Sequence, residues 1–450
     1  MGLTQGGSAA GAGLGRRERR EIDRRLWALT VPTFATLVSE PLMVLADSAF
    51  VGHLGVAELA GLGIAGSVVS LLVGLSVFLA YGTTATVGRR LGAGDRPGAL
   101  GAGIDGMALG LMLGAALGVG VAVLAGEIPR WYGATDAVAR AAASYLRIVG
   151  FSLPGALVVL AATGVLRGLQ DTRTPLVVAV SANLLNIALN ATLIYGAGLG
   201  IAGAALGTTL AQSAAAVVLG GAVLRTARAA GVAPGVHPGP ILAAARSGSW
   251  LVIRSASLQG AIVAATATAT RLGPSALAAH QVTNALWTFL CYALDAIAIA
   301  CQALIGNRLG AGEIAETRAI MGRSIGWGLA FGVVTAAALA LVRPALGPLF
   351  TPDPSVQGFL LGSVLLLAAI VPVGAVVFVL DGVLIGAGDA RYLALANSIA
   401  TACFLPMTAF VPGDAGGLVW LWVAYGGYMC VRGVTLVVRA RTDAWLRVGA

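Results

Sequence analysis

Lysine is absent from the 450 residues, so every one of the 28 basic side chains is an arginine. A phosphate-cradling Walker A loop and a Schiff-base site both need a lysine amine, and neither chemistry is available here. Charge of either sign is scarce. Only 10% of residues are charged, where a soluble protein carries about 25%, so too little polar surface exists to coat a globule in water. Cys291, Cys301, Cys403 and Cys430 fall singly inside apolar runs, a pattern of inert packing rather than of disulfide or metal chemistry. His53, His237 and His280 are scattered and form no ligand cluster, so neither a metal nor a cofactor is expected. The hydrolase signatures HExxH and GxSxG are missing too, and no enzyme activity is expected.

What remains is largely apolar, 58% of the chain. Apolar stretches of about 20 residues recur, and ~20 residues rising 1.5 Å each cross a hydrocarbon core of ~30 Å. Strict alternation is lacking and glycine, alanine and leucine dominate, so these are helices rather than barrel strands. The expected fold class is an all-α integral membrane protein with twelve transmembrane helices in two parallel-repeat six-helix lobes. Spans are expected near 28–51, 58–82, 99–124, 137–164, 174–196 and 200–224, then 241–270, 276–304, 317–342, 355–385, 392–412 and 417–439. Residues 1–25 read as an Arg-rich cytoplasmic tail, 26–224 as the N-lobe, 225–240 as a cytoplasmic connector, 241–440 as the C-lobe and 441–450 as a second tail.

The net charge of +9 would suit nucleic acid, but its location points to a bilayer instead. Arg16, Arg17, Arg19, Arg20, Arg24 and Arg25 crowd just before the first span, the positive-inside signature of a cytoplasmic N-terminus. A twin-arginine export signal does not fit, because charged residues follow Arg17 where an apolar run is needed. The first span is also too long for a cleaved signal. Arg89, Arg90, Arg96, Arg167, Arg173, Arg225, Arg228, Arg308, Arg318 and Arg391 fall in connections on the same side as this tail, as do Arg439, Arg441 and Arg447 at the C-terminal end. The opposite side offers little beyond Arg130, Arg140, Arg271 and Arg343. Both termini are therefore expected in the cytoplasm of a bacterial cell, with the chain multi-pass in its cytoplasmic membrane.

An internal repeat organises the spans. VGRRLGAGD (Val87–Asp95) recurs as IGNRLGAGE (Ile305–Glu313), and 306 − 88 gives an offset of 218. GVLRGLQDTR (Gly164–Arg173) recurs as GVLIGAGDAR (Gly382–Arg391), and 382 − 164 is again 218. A weaker pair, HLGVAELA from His53 and RLGPSALA from Arg271, shares that offset. An even number of spans per half gives both halves one orientation. Parallel repeats of this kind surround a central cavity whose access alternates as the halves rock. Two GxGxxG runs, Gly61–Gly66 and Gly198–Gly203, follow no strand and are read as close helix packing.

Acids at membrane depth are expensive unless they face a bundle interior or a cavity. Glu40 and Asp47 share the first span, and seven residues at ~100° each bring them within about 20° of one direction. Pro41 between them removes a backbone donor and is expected to bend the helix. Asp47 is the candidate ion or proton carrier, and Glu40 the candidate helper. Asn183, Asn186 and Asn190 form a stripe along the fifth span, either a cavity lining or interhelical hydrogen bonds. In the second half Arg254, Asp295 and Asp381 are candidates for a neutralising group, with His280 on the same span as Asp295.

The run PTFATLVSEPLMVLADSAFVGHLGVAELAGLGIA (Pro32–Ala65), with GVLRGLQDTRTP (Gly164–Pro175) and LIGNRLGAG (Leu304–Gly312), resembles the multidrug and toxic compound extrusion (MATE) family, nearest its DinF-like branch. The resemblance spans about residues 25–440. It implies a V-shaped pair of lobes and export of organic, usually cationic and amphipathic, small molecules against a proton or sodium gradient, by a single chain working as a monomer in the lipid bilayer. It matches Asp47 to the ion-binding aspartate, Asn186 to a nearby asparagine and Thr208 to a hydroxyl of that site, with Met43 among the cavity residues. Asn190 stands where some relatives carry a second aspartate, which favours a proton on Asp47 over sodium. A sodium-coupled antiporter and a flippase of lipid-linked precursors are the alternatives. The loop after the second span lacks the GxxxDRxGRR pattern of major-facilitator transporters.

Overall fold

In hydrocarbon no water can satisfy a backbone amide, so a chain this apolar must close its hydrogen bonds within each segment. The computed structural model, which describes residues 15–233, 235, 237–413 and 416–449, is accordingly helical, with no strand among the described residues. Residues 1–14 of the expected tail, and residue 450, lie outside them. The first half comprises α1 (Arg16–Gly52), α2 (Val56–Gly92), α3 (Arg96–Leu124), α4 (Asp136–Gly168), α5 (Arg173–Gly196) and α6 (Gly200–Ala229). The second comprises α7 (Pro238–Arg271), α8 (Pro274–Gly310), α9 (Ile314–Phe350), α10 (Pro354–Gly386), α11 (Ala390–Ala409) and α12 (Gly417–Arg441). All 12 are long and apolar enough to cross a membrane.

The expected spans are each found, and most helices run past them. The α8 helix continues six residues beyond 304 to Gly310, and α9 continues from 342 to Phe350. Apolar content marks only the part inside hydrocarbon, while arginine and leucine sustain the helix beyond it. The connector is correspondingly shorter than 225–240. Helix α6 holds to Ala229, Gly231 leaves the helix at φ 77°, and Pro238 starts α7 at a first-turn position where its missing N–H is harmless. Of the two GxGxxG runs, Gly61 packs against Ala141 and Ala142, and Gly203 against Leu193 and Ile194. Gly198 and Gly200 instead take positive φ in a turn.

The 218-residue repeat is reproduced in backbone angles. Gly94 and Gly312 have φ of 79° and 78°, and the next residues, Asp95 and Glu313, have φ −86° with ψ of 69° and 72°. Gln170, at φ 64°, is the single non-glycine with positive φ among the described residues, and its counterpart 218 positions on is Gly388 at φ 76°. The two halves meet through the same relation. A Cβ on Gly92 would collide with the Asn307 carbonyl, and a Cβ on Gly310 with the Arg89 carbonyl; 92 + 218 is 310 and 89 + 218 is 307. The ends of α2 and α8 thus cross about a pseudo-twofold axis, close enough that only glycine fits on either side.

Other cross-lobe contacts sit at this same end or in the adjoining halves of α1 and α7. Asp23 of α1 accepts from Arg323 (3.0 Å) and Trp327 (2.9 Å) of α9, and Trp27 packs on Trp327. The position equivalent to Arg323 is Asp105 of α3 (105 + 218 = 323), and Asp105 accepts from the His237 backbone N–H at 3.0 Å. Each lobe therefore grips the segment that leads into the other. The lobes join at one end and diverge beyond it, as the limbs of a V.

A C-terminal strap closes the joined end. Arg89 of α2 donates to the carbonyls of Ala387 (2.7 Å), Arg447 (2.7 Å) and Gly449 (2.8 Å), and Gly449 N–H donates to Leu309 of α8. Trp445, 1% exposed, anchors the strap in the core, and an Arg318–Asp443 ion pair holds it to α9. Arg89→Gln removes charge-assisted bonds between lobes. With Ala303→Cys as a buried reporter beside Gly88, maleimide labelling from the Arg89 side is expected to accelerate on the order of tenfold or more. An unchanged labelling rate would show that the strap does not hold the lobes together.

Candidate functional site

The acid of the first span lies inside the N-lobe, toward the end where the lobes diverge. Asp47 is 5% exposed and stands at the junction of α1, α5 and α6. The three-and-four spacing of the α5 asparagines lays them against neighbouring helices, and two of them reach this point. Asn190 Nδ2 donates to Asp47 Oδ1 at 2.6 Å and to Asn186 Oδ1 at 3.3 Å. Asn186 Nδ2 donates to Thr208 Oγ1 at 3.2 Å, and Thr208 Oγ1 donates to Asp47 Oδ2 at 3.3 Å. The four side chains close a hydrogen-bonded ring, and both asparagines are fully buried. Gly207 lets α6 approach, since a Cβ there would strike Asn190 Oδ1. That oxygen is the one acceptor of the ring left without a partner. Tyr145 of α4 lies beside Asp47 and Thr208.

The other first-half candidates separate from this ring. Asn183 donates to the Ser39 carbonyl and hydroxyl, both at 2.7 Å, and so ties α5 to α1 one turn away. Its second-half equivalent, Thr401, donates to the Ser257 carbonyl (183 + 218 = 401, 39 + 218 = 257), which marks a structural bond common to both lobes. Glu40 shares the direction of Asp47 along α1 but not its surroundings. It is exposed, with Tyr292 of α8 within electrostatic range across the interlobe space. Met43 is half-buried on the same helix. Pro41 lies within α1, which stays a continuous helix through it.

The second-half candidates do not form one group. Asp381 Oδ2 accepts from Arg254 at 2.9 Å and from Arg432 of α12 at 2.6 Å, so the expected pair is a triad with a second arginine. Asp295 is half-buried and makes no ion pair among the described residues. It shares a small cavity with Arg254, Gln302 and Asp381. His280 belongs elsewhere, in a pocket with Asn284, Trp422 and Tyr425. A helix rises ~1.5 Å per residue, so His280 and Asp295, fifteen positions apart on α8, stand about 22 Å apart along it and reach different pockets. Arg167 also departs from expectation. Read from the sequence as a loop residue, it is 6% exposed within the last turn of α4. No set of three metal-ligating side chains gathers among the described residues.

The family model for MatE matches residues 32–192 and 252–410, one stretch in each lobe. The chain belongs to the MATE family. A chloroplastic protein of Arabidopsis thaliana, DETOXIFICATION 44, is 30% identical over 444 residues, covering 94% of this chain and 84% of that one. The DNA damage-inducible protein F of Escherichia coli K12 is 28% identical over 428 residues, covering 92% and 91%. The bent form of the Vibrio cholerae MATE transporter VcmN shares the fold, with a TM-score of 0.87 at 20% identity over 96% of this chain and 98% of that one. As a MATE protein the chain is a membrane transporter for small organic compounds and not an enzyme.

Three side chains of this MATE transporter escaped the sequence reading. Tyr145 gave no signal, being one aromatic in an apolar helix. Arg432 falls inside the expected span 417–439 without being singled out there, and Arg167 is expected in a loop. The 218-residue offset does not find them, because Tyr145 and Arg167 pair with Ser363 and Ile385.

 The counterpart of Arg432 is Ala214, so each arginine is particular to its own lobe. In the ring itself, Asn190→Ala strips Asp47 Oδ1 of its donor and is expected to cost about 1–3 kcal/mol of stability. Thermal unfolding of Asn190→Ala, Asp47→Asn and the double variant checks this, with a coupling of about 0.5–3 kcal/mol expected for residues in contact. Additive effects would show that the ring is not an energetic unit.

Proposed function

We propose that this MATE transporter exports organic, cationic or amphipathic compounds in exchange for protons, with Asp47 as the proton carrier. The observation that carries the reading is the closed ring of Asp47, Asn190, Asn186 and Thr208, in which one carboxyl is held by neutral partners alone. A carboxylate at membrane depth without a cationic partner is costly, and a proton removes that cost. A protonated Asp47 becomes a donor, and Asn190 Oδ1 is an unused acceptor in the same ring. Asparagine at 190 cannot take the proton, so the load falls on Asp47.

Exchange then follows from linkage. Protonation from outside changes the hydrogen bonds that hold α1 to α5 and α6, lets α1 repack near Pro41, and lowers the affinity for bound substrate. Substrate and proton each favour a different arrangement of the lobes, which is what alternating access requires. The arginine bias supports a bacterial cytoplasmic membrane with both termini inside. A single two-lobed chain supplies the whole pathway, which supports a working monomer.

The test is transport of a fluorescent organic cation by purified protein in proteoliposomes, with pH and sodium gradients imposed separately. Movement with the pH gradient alone, lost in Asp47→Asn but kept in Glu40→Gln, is the expected result. Normal folding of Asp47→Asn, read by its elution as a monodisperse species, separates lost coupling from lost structure. A response to sodium alone would replace the proton by sodium. Failure under both gradients would favour a narrower cargo such as a lipid-linked precursor.

A further inference from the structure

A carboxylate buried between two guanidiniums leaves one positive charge unanswered. In the C-lobe, Asp381 Oδ2 takes both Arg254 and Arg432, which are 8% and 3% exposed. Arg254 Nε, Arg432 Nε and Asp381 Oδ1 are buried and without a hydrogen-bond partner among the described residues. Burying a charged donor without an acceptor is expensive, and more so in hydrocarbon than beside water. Arg254 also lies over the Tyr81 ring of α2, 6.0 Å from its centroid, and Gln302 of α8 donates to the Tyr81 carbonyl at 2.9 Å. Arg432 lies behind a cavity between the lobes, which Tyr81, Arg254, Asp295, Gln302, Phe378 and Asp381 line.

The charges around this cavity do not balance. Arg167 reaches it electrostatically from the N-lobe, where it makes no ion pair or side-chain hydrogen bond among the described residues. Arg167, Arg254 and Arg432 stand against Asp295 and Asp381, and 3 − 2 leaves +1. Asp295 holds no hydrogen bond among the described residues, so its contribution is charge alone. A cation entering here would meet a net positive field, whereas an anionic oxygen would find the Arg254 guanidinium, with Tyr81 and Phe378 as apolar walls. Guanidinium offers its fork of donors to carboxylate and phosphate above other groups.

We propose that this C-lobe cavity binds the anionic group, carboxylate or phosphate, of an amphiphilic ligand. The site stands apart from the Asp47 ring and does not rest on proton coupling. It adds to the carboxylate-centred N-lobe site a second one of opposite polarity, suited to anionic or zwitterionic compounds. Arg254 supplies the N–H donors, Arg167 and Arg432 the supporting field, and Asp295 limits the affinity.

The experiment uses the full chain in phosphatidylcholine nanodiscs and two probes of equal chain length, decanoate and decyltrimethylammonium, with binding read by calorimetry. Decanoate is expected to bind more tightly. Asp295→Asn, which removes a charge but no hydrogen bond, is expected to tighten decanoate several-fold, and Arg254→Gln to weaken it at least tenfold. Because Arg254→Gln also disturbs the triad, Asp295→Asn carries the test should that variant fail to fold. Tighter binding of decyltrimethylammonium, lost in Asp295→Asn, would make this a cation site and overturn the proposal. Binding of neither probe would leave a purely structural triad and also overturn it. Repeating the titration in phosphatidylglycerol discs identifies the source of the anion. Loss of decanoate binding there assigns the cavity to a lipid phosphate, and retained binding assigns it to a solute.

Discussion

Hydrocarbon offers no water to a charge or an amide, and the architecture follows from how each such group is answered. Backbone groups are answered inside helices. Hydroxyls can bond back to their own helix, but a charged or amide side chain is best answered by another helix, and each such bond records a helix–helix contact. Asp47 binds α1 to α5 and α6, Asn183 binds α5 to α1, and Asp381 binds α10 to α7 and α12. Van der Waals packing alone discriminates poorly among apolar helices, and bonds of this kind fix which helix meets which.

Duplication supplies the second constraint. The same backbone turn occurs at Gly94 and Gly312, and the same close approach at Gly92 and Gly310. Two equivalent helices crossing about an axis make one interface twice over, which joins the lobes at that end without any loop. The duplicated halves then diverge in chemistry. Position 47 is aspartate in the first lobe, and its equivalent, Ala265, lines the His280 pocket in the second. Position 381 is aspartate in the second lobe and Thr163 in the first. Symmetry holds the frame, while the polar residues that break it give each lobe its own site.

Legibility in the sequence followed the kind of signal. Twelve spans, the repeat offset and the Asp47–Asn186–Asn190–Thr208 set were readable, because hydropathy, spacing and family resemblance each act along the chain. Helix ends were less so. Hydropathy marks the limit of hydrocarbon and not the limit of the helix, which is why α8 and α9 run on beyond their apolar cores. The expected grouping of His280 with Asp295 fails because fifteen residues of helix rise about 22 Å and carry the two into different pockets.

By itself the sequence determined that the chain crosses a membrane many times, that it is a duplication, and that an acid must be sheltered at depth. Each of these depends on local composition or on comparing one segment with another. Tertiary structure alone decided the partners: the second arginine on Asp381, the burial of Arg167, the isolation of Asp295 and the strap beneath Arg89. Those contacts join residues tens or hundreds of positions apart. Which of several equivalent polar groups comes to face another is set by helix rotation and crossing, and no one-dimensional pattern encodes it.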